Sequence, residues 1–217
     1  MLVLLSYSLL GVCQQTNHLN EKKEMIQENL IELVQRNDLA AVKSALAKGA
    51  KVNTQDSHKR NLLLIATVNQ QLEMAQLLVA HGADVNMQAD NLDSPFLYAG
   101  ASGQTTLVKL YLENGARFDV FNRYHGSALI PACERGHVET VKVLVNAKDF
   151  PIDHVNRLGW TALLEAVILG DGSEKYQEII KILKNGGANL LIPDKDGVTA
   201  LQHAQKHNYK EIVNILQ

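Results

Sequence analysis

The sequence predicts an all-α solenoid: about six stacked helix-turn-helix units joined by short β-hairpin turns. Three observations point there. Gly49, Gly82 and Gly115 recur every 33 residues, a period typical of repeat arrays. Apolar stripes at i, i+3 and i+4 alternate with polar, glycine-marked breaks. No unit of this length can bury its own stripe, so each one needs a neighbour.

Composition narrows the classes. With 46% hydrophobic and 20% charged residues in 217, the chain can bury a core. Lys and Arg number 21 against 23 Asp and Glu, a formal charge of −2, so no basic field exists to collect nucleic acid. Cys13 and Cys133 form no CxxC pair, which argues against a disulfide framework and a zinc cluster alike.

The chain opens with "MLVLLSYSLLGVC", residues 1–13, which carries no charge, followed by a polar stretch over 14–27. Thirteen residues are too few to cross a bilayer, which takes roughly 20, but they match the apolar core of an export leader. "LGVC" resembles the bacterial lipoprotein cleavage box, with Cys13 as the lipidated residue. Val12 stands where that box wants a small residue, and no Lys or Arg precedes the apolar run. The alternative is an apolar segment packed on the first unit. The polar stretch reads as a tether.

The units fall near 28–55, 56–88, 89–121, 122–155, 156–193 and 194–217. First helices begin after residues able to accept an otherwise orphaned backbone N–H: Asn61, Ser94, Ser127, Thr161 and Thr199. Pro95 suits a first helical position, where its missing N–H costs nothing. Pro131 lies about one turn in, where the i to i−4 bonds have barely begun. Breaks between the paired helices fall at Asn37, Gln70, Gly103, Gly136 and Asn208, most of them tolerant of the left-handed conformation that ends a helix. Second helices follow, among them "LEMAQLLVA", "VETVKVLV" and "YQEIIKILK".

"DKDGVTALQHA", "GHVETVKVLV" and "HGADVN" resemble the ankyrin repeat, and the resemblance covers about residues 28–217. It implies protein binding without catalysis, through a concave face built from turn tips and first helices. A leader on a small array of this kind resembles a bacterial type, which implies a cell-envelope or secreted location; without a leader the location is cytoplasmic. The sequence departs from the family pattern in three places. Leu64, Leu97, Ile130, Leu164 and Gln202 replace the family's buried histidine, removing a hydrogen bond between neighbouring turns. "KDFPID" replaces "GADVN" in the fourth unit. The fifth unit carries about five extra residues, Asp171 to Lys175, expected to project as a loop.

On the concave face the second and third units offer Arg60, Asp90, Asp93 and Tyr98. The fourth offers Arg123, Tyr124, Glu134 and Arg135, and the fifth Arg157, Trp160 and Glu165. Trp, Tyr and Arg are enriched in interface hot spots, so Tyr98, Arg123, Tyr124, Arg157 and Trp160 are expected to gather into a partner-binding surface.

Candidates for chemistry are weaker. His203 and His207 share a helix face at i, i+4 as in zinc hydrolases, but Ala204 stands where a Glu is required and no third ligand is indicated. Cys133 reads as a buried inert thiol and His137 as structural. No phosphate-cradling loop or nucleophile motif is present. The expectation is a monomer without cofactor or metal that binds another protein and meets a membrane only through a lipid anchor. An immunity or inhibitor protein occluding a toxin is the alternative, and a metal-dependent hydrolase a remote one.

Overall fold

The computed structural model describes residues 29–217. The apolar run, Cys13 and the polar tether lie outside them. Among the described residues, twelve helices pair into six units. These are α1 (29–35) with α2 (Leu39–Ala47), α3 (Leu62–Val68) with α4 (Leu72–Ala80), and α5 (Pro95–Ala101) with α6 (Thr105–Glu113). Then come α7 (Leu129–Glu134) with α8 (Val138–Val145), α9 (Ala162–Ile168) with α10 (Glu174–Asn185), and α11 (Ala200–Lys206) with α12 (Lys210–Leu216). First helices pack on first helices from α3 to α11, and second helices on second helices from α2 to α12. A single apolar core therefore runs the length of the stack, with Leu78, Leu144, Leu164 and Ile179 fully buried in it.

Within each unit the two helices meet at a residue with positive φ. Asn37, Gln70 and Asn208 adopt 58°, Gly103 71° and Gly136 73°, which makes the helix reversal a local backbone device. Asn61, Ser94, Thr161 and Thr199 cap their helices by accepting the N–H three residues on. Ser127 does not. Its Oγ is buried without a hydrogen-bond partner, and α7 starts after Ala128. Pro131 has no N–H to give the Ser127 carbonyl, so the first helical bond at this site is missing and the regular helix opens one residue late.

The hairpin turns are present but too short for a strand ladder: among the described residues there is one isolated bridge, Gln55 with Asn61, and no strand. Each tip is a five-residue loop closed by one cross-tip bond, from Asp56, Ala89, Asn122, Asn156 and Asp194 N–H to the carbonyls of Arg60, Asp93, Gly126, Trp160 and Val198. In four tips the first residue also organises the turn. The Oδ1 of Asp56, Asn122, Asn156 or Asp194 accepts the N–H groups two and four residues on, as short Asx side chains do in turns. Ala89 cannot, and Asn91 and Asp93 bond to each other instead.

Two departures from the repeat pattern resolve in unexpected ways. Asp149 takes the positive φ, 60°, that Gly49, Gly82 and Gly115 take in other units, and Phe150 beside it is buried against Phe118 at 4.8 Å between ring centroids. The extra residues of the fifth unit do not form a projecting loop. Glu174 and Lys175 belong to α10, which has 12 residues against nine in α2, α4 and α6. The short remainder is held down by the Tyr209 hydroxyl, which donates to the Gly170 carbonyl at 3.0 Å. Lengthening a helix satisfies the added backbone groups internally, which a free loop would not.

Candidate functional site

The first helices and tips of units three to five enclose a groove of about 580 Å³. α5 contributes Leu97, Tyr98 and Ala101, α7 contributes Ile130, Pro131 and Glu134 with Arg135 at its end, and α9 contributes Glu165 with Leu169 at its end. The tips add Asp93, Asn122, Arg123, Tyr124, Gly126, Asn156 and Leu158. Helices only six or seven residues long bring their caps and C-termini to the rim, so polar tip residues and apolar helix faces share one concavity.

Seven of the residues named from the sequence meet here: Asp93, Tyr98, Arg123, Tyr124, Glu134, Arg135 and Glu165. Four do not. Arg60 is tied to Asp56 in the second tip at 2.7 Å, and Asp90 pairs with Lys59 at 2.9 Å. Arg157 donates to the Arg123 carbonyl at 3.0 Å and lines a separate depression with Arg117, Asp119 and His125. Trp160 is half-buried against the core, in a tip whose Leu158 and Trp160 N–H groups both bond to Asn156 Oδ1. Of the five residues expected to gather, Tyr98, Arg123 and Tyr124 line the groove, and Arg157 sits against two of them, its N–H on the Tyr124 carbonyl at 2.9 Å, while Trp160 lies outside the lining.

Glu165 is the largest surprise. It was expected on an exposed position, yet only 4% of it is exposed. One carboxylate oxygen accepts Asn156 Nδ2 at 2.9 Å. Burial, and after it the charge of Glu134, pushes its pKa up to about 7, against the opposing pull of the Asn156 bond. Above it the rim is apolar and wet: Tyr124 is 53% exposed, Leu158 48% and Leu169 48%. The Arg123 guanidinium lies 4.9 Å from the Tyr124 ring centroid, and Arg135 Nη1 donates to the Ala101 carbonyl at 2.7 Å. Leu158 and Leu169 escaped the sequence reading because an apolar residue in a repeat is assigned to the core by default. The signal that could have found them is their position, one at a tip and one at a helix end.

The candidates for chemistry separate. His203 Nε2 bonds to Asp194 Oδ2 at 2.7 Å, while the His207 ring stacks on Tyr209. Among the described residues no group of three or more His, Cys, Asp and Glu could hold a metal ion. Cys133 is fully buried and its thiol pKa is raised, first by burial and then by Glu165. No helix among the described residues is long and apolar enough to cross a membrane.

Stacked helix pairs with closed tips and a continuous core define a helical repeat solenoid. The chain belongs to the ankyrin repeat family: the family model for ankyrin repeats (3 copies) matches residues 30–122 and 96–185. It is 35% identical over 182 residues to the Escherichia coli (strain K12) ankyrin repeat protein YahD, covering 84% of this chain and 90% of that protein. A crystal structure of an ankyrin repeat domain from Acinetobacter baumannii AYE superposes with a TM-score of 0.85 at 44% identity, covering 87% of this chain and 95% of that one. The ankyrin repeat protein EF0377 gives 0.83 at 40% identity, over 86% and 95%. Ankyrin arrays are generally protein–protein interaction modules and non-enzymatic scaffolds.

Proposed function

We propose that this protein is a non-catalytic binding module that docks one protein partner in the groove of units three to five. The observation that carries the reading is the rim. Tyr124, Leu158 and Leu169 are large, apolar and about half exposed, and all three border the same concavity. Isolated exposed hydrophobics are ordinary, whereas a contiguous set around a groove marks an interaction surface.

The test places a photo-crosslinking side chain at Tyr124, and in a second variant at Lys142 on the helical surface, in the native host. A partner captured from Tyr124 alone is then titrated against purified protein. Tyr124→Ala with Leu158→Ala should weaken it by roughly 30-fold or more, as loss of interface anchors does. Glu139→Ala with Lys142→Ala, both exposed on the opposite face, should leave it unchanged. Equal capture from both faces, or binding indifferent to the groove pair, overturns the reading.

The apolar-then-polar order of residues 1–27 supports an envelope location for the same module, with Cys13 as the lipidated residue. Intact mass showing a chain that begins at Cys13, and loss of detergent partitioning in Cys13→Ala, would bear that out. An uncleaved cytosolic chain would refute it.

A further inference from the structure

Resting on the reading of the groove as a partner-binding face, we infer that its floor is built to receive a single basic side chain, a lysine or arginine, with its charged head against Glu165 and Glu134. Glu165 lines the groove while 96% of it is shielded from solvent. One of its oxygens is taken by Asn156 Nδ2. The other has no hydrogen-bond partner among the described residues, and no described basic group lies within 4.0 Å of either Glu165 or Glu134. A carboxylate so shielded and without a counter-charge favours its ionised form only when a cation enters the groove beside it.

Asn156 cannot supply the missing charge, and its orientation is not free. Its Oδ1 holds the N–H groups of Leu158 and Trp160, so only the neutral amide Nδ2 can face Glu165. The next unit repeats the arrangement with opposite logic. Asp194 occupies the register of Asn156 and His203 that of Glu165, and there His203 Nε2 and Asp194 Oδ2 lie 2.7 Å apart, a carboxylate meeting an imidazole. Unit five thus has its carboxylate on the helix, facing a neutral amide at the tip.

The groove's own arginines are committed elsewhere, Arg135 to the Ala101 carbonyl and Arg123 over the Tyr124 ring. Tyr98, Pro131, Leu158 and Leu169 complete the walls. They offer apolar surface to the methylene stem of a long basic side chain, which packs its stem and keeps its head polar.

The test needs no knowledge of the partner. Acetyl-Gly-Gly-Lys-Gly-Gly-amide and the same peptide with norleucine for lysine are titrated into the full chain to about 20 mM, a range that detects millimolar dissociation constants. The Glu165 side-chain carboxyl carbon is followed by NMR. The lysine peptide should shift that resonance and lower its titration midpoint by about one unit or more, the tenfold preference for the ionised form that a bound cation imposes. The norleucine peptide should do neither, and Glu165→Gln, which keeps the Asn156 bond, should weaken the lysine peptide at least tenfold while its circular dichroism stays that of the parent. Equal responses to the two peptides, no response to either, or undiminished binding by Glu165→Gln overturns the inference. If the lysine peptide is ignored while Tyr124→Ala with Leu158→Ala still weakens the captured partner, the cation pocket alone is refuted. If it binds at Glu165 but that double variant leaves the partner untouched, the groove is not the partner face.

Discussion

Asn156 donates its side-chain amide to Glu165 at 2.9 Å across nine residues, joining a hairpin tip to the inner helix that follows it. The bond holds the carboxylate inside the stack, where burial and the charge of Glu134 raise its pKa from 4.5 to about 7. The consequence for stability follows from the sign of that shift. Well below pH 4.5 the group is neutral in folded and unfolded chains alike and costs nothing. As pH rises toward 7 the unfolded chain ionises while the folded one stays protonated, so the fold loses stability, by up to about 3 kcal/mol above pH 7.

Glu165→Gln removes the titration and keeps an acceptor for Asn156. Urea denaturation should find the variant about as stable as the parent at pH 4.5 and more stable by about 2 to 3 kcal/mol at pH 8. A difference that does not grow with pH would show that Glu165 is not carrying this penalty.

The two capping positions of neighbouring units should respond in opposite ways. Thr161 Oγ1 accepts the Leu164 N–H at 3.2 Å, so Thr161→Ala should cost about 1 kcal/mol. Ser127 Oγ is buried without a partner, and Ser127→Ala should be neutral or stabilising by up to about 1 kcal/mol, since it removes an unsatisfied hydroxyl. Equal losses in the two urea midpoints would mean that Ser127 caps α7 after all.

Much of this was legible in the sequence, and the reasons for success and failure are physical. Positive φ at Asn37, Gln70, Gly103, Gly136 and Asn208 follows from local backbone chemistry, and so do the caps at Asn61, Ser94, Thr161 and Thr199. Each depends on residues within one turn. The groove was half legible, because the residues that reach it depend on rotations between neighbouring units. Trp160 packs against the core and Glu165 is buried between neighbouring units. Neither relation has a local signature. The five extra residues of the fifth unit imply a loop by their count alone, but Glu174 and Lys175 are good helix formers and extend α10.

Gly100 gives a prediction in which propensity and packing disagree. It lies inside α5, where alanine would be favoured by about 1 kcal/mol on propensity alone. A Cβ there would come within 2.8 Å of the Ala128 Cβ and 2.9 Å of the Ala128 carbonyl oxygen, so the two units could no longer approach as closely. Gly100→Ala should therefore destabilise by about 1 to 3 kcal/mol. It should also weaken partner binding, because the strain falls between α5 and the start of α7, beneath the groove. An increase in thermal midpoint would show that the units slide apart at no cost.

The last prediction concerns what links the units now that the family's histidine is absent. Asn86 Oδ1 accepts the Arg117 N–H at 2.8 Å and its Nδ2 donates to the Gly115 carbonyl at 2.9 Å. Asn53 holds Asp84 N–H, and Asp153 holds Asn189 N–H, in the same manner. The series breaks once. Asp119 stands in the register of Asn86, but the residue that should donate to it is Pro151, which has no N–H, and Asp119 pairs with Arg117 instead. Coupling in a repeat array acts between neighbours, so Asn86→Ala should cost about 1 to 2 kcal/mol for its two bonds. Native-state hydrogen exchange should then quicken for amides of α1 to α4 ahead of those in α7 to α10. Asp119→Ala removes an exposed pair that spans no units, and exchange should keep its parental pattern. If the two variants give the same exchange profile, side-chain latches do not set the coupling, and the apolar helix-on-helix contacts carry it alone.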